Sequence, residues 1–548
     1  MTPSETAPAT STESPQPHAP TRARRLGAAL AMAGILLCFA FAYVDSITPT
    51  FLINPDSAIY MGLGRSLARG DGYTFNATPY GKYPPTFPVI LAGVYLVAGQ
   101  SVWGMQLAVA LCGLGALLAT YGLVRPRAGV VPALTIAVLT GACSWFVSHA
   151  VLLVRADVPY AFFSLAALWY AERQLRSSRF SVLRWVLAGL LGAVAVLTHM
   201  VGTSLVIGLV VGALLARRAA GRTVRQRLVA AALVGLLCGG ATGLWMLRVW
   251  SVGKYASYRT LVSAATRRTH EVPLYRLRLR LREWVTTPLG LEYHEMPWAV
   301  AAGAFALLVL PGLVDGLVRR RGCAEFYLAA FFVISTCFGG EGGHERYVVP
   351  IVPLLLYFGY ESLGVLGRGL GAVFGARTEG VEAPRPGCLA RAVMVLAVVG
   401  ILGSAVYTRV RYTRGAEALA PDERQGHAEE HRAFQAMADY IRQHVPEDAV
   451  LYGSSGGATS VYYYYLDRPI IRPTPGEMGL RALRRLRDSD VDYVVSEVLT
   501  MKGEDRIDSM LALCRQCLEH VHGESGCDLW RVNQRAVRRT LAEHDDGA

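Results

Sequence analysis

Arg22-Ala23-Arg24-Arg25 followed by Leu26–Tyr43, LGAALAMAGILLCFAFAY, is the stretch that sets the architecture. An unbroken apolar run of this length behind three arginines reads as a membrane span with its N-terminal side in the cytoplasm. The run is longer than the apolar region of a secretory signal, and no clear small-residue cleavage site follows it. We therefore expect a retained helix. Residues 1–25, rich in Pro, Ser, Thr and Ala, read as a disordered cytoplasmic tail.

Working outward, the same grammar repeats. Apolar blocks alternate with short arginine-rich loops at Arg125 and Arg127, Arg173 to Arg184, Arg217 to Arg227, Arg319 to Arg321, and Arg368 to Arg391. Each of these marks an inside loop. The segments 44–86, around 149–156, 199–200, 248–296, 340–346 and 409–548 then fall outside. The stretch 87–124 makes one net crossing with two apolar pieces, 87–99 and 102–124, so one piece is expected to be a half-crossing or re-entrant helix. The result is an α-helical polytopic protein of about eleven spans over residues 26–408. The loop 248–296 is arginine-rich yet placed outside, where the charge rule is weak because the loop is long.

Composition agrees. Of the 548 residues, 53% are hydrophobic and only 17% charged, against roughly 25% in a soluble chain. The net charge of +13 is distributed over topology-setting loops and not gathered on one soluble face, so a nucleic-acid partner is excluded as a reading. From residue 409 the chain turns polar. A helical pattern at Ala433 to His444, a strand at Val450-Leu451-Tyr452, a helix over 479–488 and a strand at Tyr493-Val494-Val495 suggest a small extracytoplasmic α/β domain over 409–548. The turn Gly453-Ser454-Ser455-Gly456-Gly457 matches neither a dinucleotide fingerprint nor a P-loop and reads as an ordinary loop. No internal repeat stands out.

The first outer loop carries the chemistry. It runs Asn54-Pro55-Asp56-Ser57-Ala58-Ile59-Tyr60, then Arg65, Gly70, Gly72 and Tyr73, and ends in Lys82-Tyr83-Pro84-Pro85. Asp56 and Tyr60 are four apart and share a helix face. The helix over 56–69 is amphipathic and is expected to lie flat at the membrane surface. A carboxylate there can take a proton from an incoming nucleophile, and Lys82 can neutralise a lipid phosphate at headgroup depth. The alternatives are a helix cap for Asp56 and a snorkelling surface lysine for Lys82.

The order of membrane helix, Asp-x-x-x-Tyr, Gly-x-Gly-Tyr and Lys-x-Pro-Pro, then further spans, resembles the GT-C-fold glycosyltransferases. The nearest members in kind are bacterial proteins akin to protein O-mannosyltransferases and the lipid A aminoarabinose transferase. The resemblance covers roughly residues 26–370. It implies an enzyme that moves a sugar from a polyprenyl-phosphate donor, with Asp56 as the catalytic carboxylate and Lys82 as the loop-one lysine. Many relatives have Lys-Pro-Pro where this chain has Lys-Tyr-Pro-Pro. It also implies an inverting outcome and a seat in the inner membrane beside membrane lipid. The acceptor, whether protein, lipid or glycan, stays open, as does a hexose or pentose donor.

Three further groups fall on the same side. Arg155 and Asp157 open a helix in Arg-Ala-Asp-Val-Pro, either as substrate ligands or as a structural ion pair. His344-Glu345-Arg346-Tyr347 precedes a proline-containing helix. The resemblance assigns Arg346 to the donor phosphate, with Glu345 beside it. His344 reads as a solvated loop histidine, a proton carrier or a metal ligand. Asp56, Asp71, Asp157, Glu341, Glu345 and His344 are all outer oxygen or nitrogen donors, but no HExxH or paired CxxC zinc spacing joins them. We expect no obligatory cofactor or metal, with a divalent cation as an option. Of ten cysteines, Cys38, Cys112 and Cys238 lie in spans as small packing residues. Cys514, Cys517 and Cys527 with His520 and His522 fit a disulfide or a zinc site.

Two other classes compete. A transporter or flippase of envelope lipids is expected to hold charge or broken helices near the bilayer midplane. A structural assembly protein explains the C-terminal domain but not the acids and bases gathered on one face.

Overall fold

The computed structural model describes residues 22–47, 54–217, 222–252, 272–289, 296–338, 345–373, 421–474, 477–496, 501–524 and 527–545. The expected last span near 392–408 and the cytoplasmic tail up to residue 21 lie outside the described residues, as do Glu341 and His344. Glu345 opens a short helix, Glu345–Val348.

The bundle runs α1 (Arg22–Ser46), α2 (Pro55–Arg69), β1 (Thr74–Phe75), β2 (Thr78–Pro79), α3 (Thr86–Ala98), α4 (Val102–Ala128), α5 (Val130–Ala142), α6 (Ser144–Val151), α7 (Asp157–Arg176), α8 (Val182–Val196), α9 (Thr203–Leu215), α10 (Val224–Ser251), α11 (Val272–Leu289), α12 (Trp298–Arg320), α13 (Cys323–Phe338) and α14 (Arg346–Arg368). Among the described residues α4, α10, α12, α14 and the apolar part of α1 are long and apolar enough to cross a membrane alone, and α5 with α6, bent by 61°, is either a broken span or a re-entrant pair. Helices α3, α8, α9 and α13 are shorter and apolar.

The stretch 87–124 resolves into one crossing. At 1.5 Å per residue, α4 with its 27 residues is about 40 Å long and α3 with 13 only about 20 Å. The hydrocarbon core needs about 30 Å, so α4 is long enough to cross and α3 is not. Instead α3 packs along α2. The two approach so closely that a Cβ on Gly64 would sit 2.8 Å from Leu91 Cβ.

The expectation that residues 56–69 form a surface-lying amphipathic helix is corrected. Ser57 through Ser66 are all buried. One flank of α2 meets α3 and another meets the C-terminal domain. Arg65 makes that second contact: it donates to Tyr464 O at 2.8 Å and pairs with Asp467 at 2.8 Å. Asn76 docks both its amide groups on the backbone of Ile470 at 2.6 and 2.8 Å. A polar helix in sequence thus becomes a buried one by being covered from two sides.

The C-terminal domain comprises α15 (Pro421–His444), β3 (Leu451–Gly453), α16 (Gly456–Leu466), β4 (Ile470–Ile471), α17 (Leu480–Asp488), β5 (Tyr493–Val495), α18 (Met501–Leu513), β6 (Leu518–Glu524), β7 (Cys527–Val532) and α19 (Gln534–Asp545). Its sheet has order β4-β3-β5-β7-β6, parallel across β4-β3-β5 and antiparallel beyond. The expected strands and helices near 450, 479–488 and 493 are present, and the glycine-rich turn is a β3–α16 connection. Ser455 caps α16 by accepting from Gly457 N and Ala458 N at 3.0 and 2.9 Å. Cys514 and Cys517 form a disulfide, while Cys527 is a buried thiol. His520 meets Asp528 at 3.0 Å and His522 stacks on Tyr440, so neither joins the sulfurs.

A buried charge network ties the bundle at one end. Arg127 of α4 pairs with Glu172 of α7 at 2.6 Å and with Glu325 of α13 at 3.2 Å. Arg320 of α12 meets the same Glu325 at 3.0 Å and Glu361 of α14 at 2.7 Å. Arg127, Glu172 and Glu325 have side chains at most 2% exposed. Charges in such a place persist only when mutually compensated. The network sits near the C-terminal end of α7, whereas Asp157 opens the same helix.

Candidate active site

Asp56 sits in the first turn of α2. Pro55 precedes it with its ring preset for a helix start, and Asn54 accepts the Asp56 backbone N–H at 2.9 Å. The carboxylate therefore points from a fixed helix end, where the helix dipole favours negative charge. The backbone reverses behind it at Gly70, whose φ of +85° is left-handed and which donates to Leu67 O.

Residues distant in sequence converge on this carboxylate. Arg346, 290 positions away, donates to Oδ2 at 2.5 Å. Arg155 reaches the same oxygen at 3.5 Å and turns its Nε to Asp157 at 3.3 Å. The Tyr83 hydroxyl donates to the other oxygen, Oδ1. Asp157 in turn lies 3.9 Å from His199 Nε2. The His199 Nδ1 accepts from Val201 N at 3.2 Å, which leaves the proton of a neutral imidazole on Nε2, facing Asp157. The ring of His199 packs against Tyr347 at 5.7 Å, and Tyr347 accepts from Arg346 at 2.9 Å. Asp56, at 22% side-chain exposure, and Arg346, at 29%, are the open members. Arg155 at 9% and Asp157 at 4% lie beneath them.

Electrostatics follow from this crowding. Burial opposes ionisation of Asp56, but Arg346, Arg155, the Tyr83 hydroxyl and Lys82 together outweigh it, and its carboxyl is held below the usual range. Lys82 is pushed down, first by burial and then by Arg472 and Arg346, with Asp56 opposing. His199 falls to about 4, mainly through burial, aided by Arg346 and Arg155 and opposed by Asp157 and Asp56. Three cations, Lys82, Arg155 and Arg346, thus surround two carboxylates, Asp56 and Asp157. The site has one positive charge in excess, the sign an anionic ligand requires.

Of the residues singled out in the sequence, the structure brings Asp56, Lys82, Arg155, Asp157 and Arg346 together. Tyr60 does not face the opening. It stacks on Tyr83 at 4.6 Å and meets Phe87 edge-on at 5.1 Å, close beside Asp56, Asp157 and Arg155. In sequence Tyr83 shows only as the residue that separates Lys82 from the prolines. Tyr73 pins that segment by donating to Tyr83 O at 2.8 Å and Pro84 O at 3.2 Å. The signal that marks Tyr83 was present in the sequence: an aromatic hydroxyl beside the lysine of a loop that also supplies the carboxylate. His199 carried a weaker one, as a histidine in a short outer turn. Among the described residues no group of three His, Cys, Asp or Glu side chains is arranged to hold a metal ion.

Residues 82–245 match the family described as dolichyl-phosphate-mannose-protein mannosyltransferase. That segment includes Lys82, Tyr83, Arg155, Asp157 and His199. No curated protein sequence matches the chain significantly. Whole-chain likeness is structural. The fold is the GT-C fold of integral membrane glycosyltransferases. In particular, the chain is similar to ArnT from Cupriavidus metallidurans in the apo state, with 18% identity, 94% of this chain and 99% of that chain covered, and a TM-score of 0.56. The same protein bound to undecaprenyl phosphate gives 18% identity, coverages of 92% and 98%, and a TM-score of 0.55. The archaeal oligosaccharyltransferase AglB from Archaeoglobus fulgidus, in complex with an inhibitory peptide and a dolichol-phosphate, gives 12%, 92%, 74% and 0.52.

Proposed function

We propose that the protein is a membrane glycosyltransferase that moves a sugar from a polyprenyl-phosphate donor to an acceptor on the extracytoplasmic face. The observation that carries this reading is the convergence of Arg346, Arg155 and Tyr83 on Asp56 at the open end of the bundle. The neighbours solved with undecaprenyl phosphate and dolichol-phosphate support the donor class.

In this scheme the donor phosphate enters as a second anion beside Asp56. Arg346 and Arg155 turn part of their hydrogen bonding to it, which relieves Asp56 and raises its basicity. The acceptor hydroxyl or amine attacks the anomeric carbon and passes its proton to Asp56. The bond from that carbon to the phosphate oxygen breaks, and the electron pair leaves with the polyprenyl phosphate. Lys82, Arg346 and Arg155 stabilise the charge that develops there. A single displacement of this kind inverts the anomeric centre. No step calls on a metal ion. Asp157 and neutral His199 hold Arg155 and Tyr347 in place. Glu345 and His344 take no assigned step.

Lys82→Ala is expected to raise the donor KM more than Lys82→Arg does, because either cation keeps a charge near the phosphate but Arg's planar fork replaces a compact ammonium poorly. Donor-dependent kinetics check this. Equal donor dependence for Lys82→Ala and wild type would assign the phosphate to Arg346 and Arg155 alone.

The second reading, a transporter or flippase, calls for charge at mid-bilayer. In the described bundle the ion pairs of Asp157 and of Arg127, Glu172 and Glu325 lie near helix ends, while the buried pair Arg280–Glu283 stands midway along α11, in the segment read as the large outer loop. The proposed orientation places the N-terminus in the cytoplasm and the C-terminal domain outside, in the inner membrane. A reporter active only in the cytoplasm, fused after residue 548, is then expected to be silent, and an active one would invert the topology. The sugar itself is best identified as the lipid-linked sugar that accumulates in cells lacking the protein. Accumulation of none, with normal lipid flipping lost, would favour the transporter.

A further inference from the structure

A cavity of about 560 Å³ opens between the C-terminal ends of α4 and α7. Asp157 and Arg176 bound α7, whose 20 residues span about 30 Å. The cavity therefore lies about 30 Å along α7 from the Asp157 end that faces Asp56, and at the C-terminal end of α4, a helix long and apolar enough to cross a membrane, which places it toward the opposite bilayer face. Arg125, Arg173 and Arg176 line it, with Tyr121 and Trp169 as aromatic walls and Leu118 toward the bilayer centre. Among the described residues no carboxylate lines it. The nearest acid, Glu172, is turned to Arg127 at 2.6 Å and lies 3.6 Å from Arg176. The Tyr121 hydroxyl is buried, with the residue only 7% exposed, and meets no hydrogen-bond partner among the described residues.

The helix faces lead into this cavity in a particular way. Leu111, Leu118 and Arg125 are seven apart on α4 and share one stripe. The two leucines are 58% and 41% exposed. Beside that stripe, α7 lays Phe162 over Gly115 and Trp169 over Gly122, where added Cβ atoms would fall 2.6 and 2.3 Å from the rings. The result is an apolar track about 10 Å long that ends in three guanidinium groups at an aromatic-lined mouth.

We propose that this cavity binds the headgroup of an anionic phospholipid of that leaflet, with an acyl chain along Leu118 and Leu111. Charge, depth and shape each select this occupant. Guanidinium groups match phosphate oxygens bidentately. Tryptophan and tyrosine mark headgroup depth. Basic pockets between helices on this face suit anionic headgroups. The exposed leucines extend the site into hydrocarbon, which a soluble phosphate compound would leave unused. This site is independent of the transfer reaction.

The test uses the full-length purified chain in micelles doped with phosphatidylglycerol or phosphatidylcholine, read by native mass spectrometry and by melting temperature. Wild type is expected to retain phosphatidylglycerol over phosphatidylcholine by about tenfold or more, and to melt higher with it. Arg125→Gln with Arg173→Gln is expected to bring that ratio to near one. Arg173→Glu, at an exposed position, is expected to lower it as well, so that a misfolded double variant leaves the test intact. An unchanged preference in folded variants overturns the proposal. So does an equal melting shift from inorganic phosphate, which would make the ligand a soluble anion. Displacement of phosphatidylglycerol by equimolar undecaprenyl phosphate would equally overturn it, in favour of a single-chain lipid.

Discussion

Asp56→Asn is expected to lower turnover by about 10²–10⁴-fold while the protein is made and inserted at wild-type levels. The side chain keeps its size, and its oxygen still accepts from Tyr83, so the packing of α2 between α3 and α16 is undisturbed. What disappears is the charge and the capacity to take a proton. Arg346 and Arg155 lose their shared anion, yet Arg155 retains Asp157 and Arg346 retains Tyr347. Donor binding is therefore expected to survive, or to tighten, because the phosphate no longer competes with a carboxylate. Turnover and donor affinity measured together check this. Wild-type turnover at an equal protein level would remove Asp56 from the base role.

Arg346→Ala is expected to reduce kcat/KM for the donor by about 10²–10³-fold, the scale for loss of one preorganised charge-stabilising group. It also carries a signature that a packing defect would not produce. Arg346 is the strongest of the groups that hold the Asp56 carboxyl low against the opposing effect of burial. Removing it raises that pKa. The reaction needs Asp56 ionised, so the acidic limb of the pH profile of kcat/KM moves to higher pH in the variant. Arg346→Lys restores the charge without the fork and is expected to fall between, with its acidic limb near wild type. An Arg346→Ala profile that drops uniformly at every pH would mean that Arg346 does not set the state of Asp56.

The sequence was most readable where physics acts on contiguous residues. The span at Leu26–Tyr43 and the arginine-marked loops follow from hydrocarbon thickness and charge alone. Asp56, Lys82 and the Arg346-Tyr347 pair were recognisable because loop one and the start of α14 carry polar residues beside long apolar blocks. Their mutual distances were not, since Asp56 and Arg346 meet across 290 positions. Burial of α2 was hidden for a related reason. Its polar face is covered by Tyr463 and Tyr464, whose backbone carbonyls accept from Arg65, and that contact joins two domains. Tyr83 was passed over because a one-residue interruption of a Lys-Pro-Pro pattern looks like an insertion until its hydroxyl is seen on Asp56.

Other features left little trace in local pattern. Strands β6 and β7 contain His520, His522, Glu519 and Arg531 among few apolar residues, so alternation is weak even though Leu518, Leu529 and Val532 are buried. Strand β4 has two residues, too short for any periodicity to register. In the network of Arg127, Glu172, Glu325, Arg320 and Glu361, the two arginines read in sequence as topology signals at helix ends and the three acids carry no such mark. Arg127 and Arg320 serve there as buried counter-charges as well.

The central claim is sugar transfer from a lipid-phosphate donor, and it is tested most directly with the purified full-length protein and a panel of synthetic polyprenyl-phosphate sugars. At least one donor is expected to release free polyprenyl phosphate in step with glycosylation of an acceptor from the same envelope, and Asp56→Asn is expected to abolish both. Release and transfer absent across hexose and pentose donors alike, from protein that still binds polyprenyl phosphate, would contradict it.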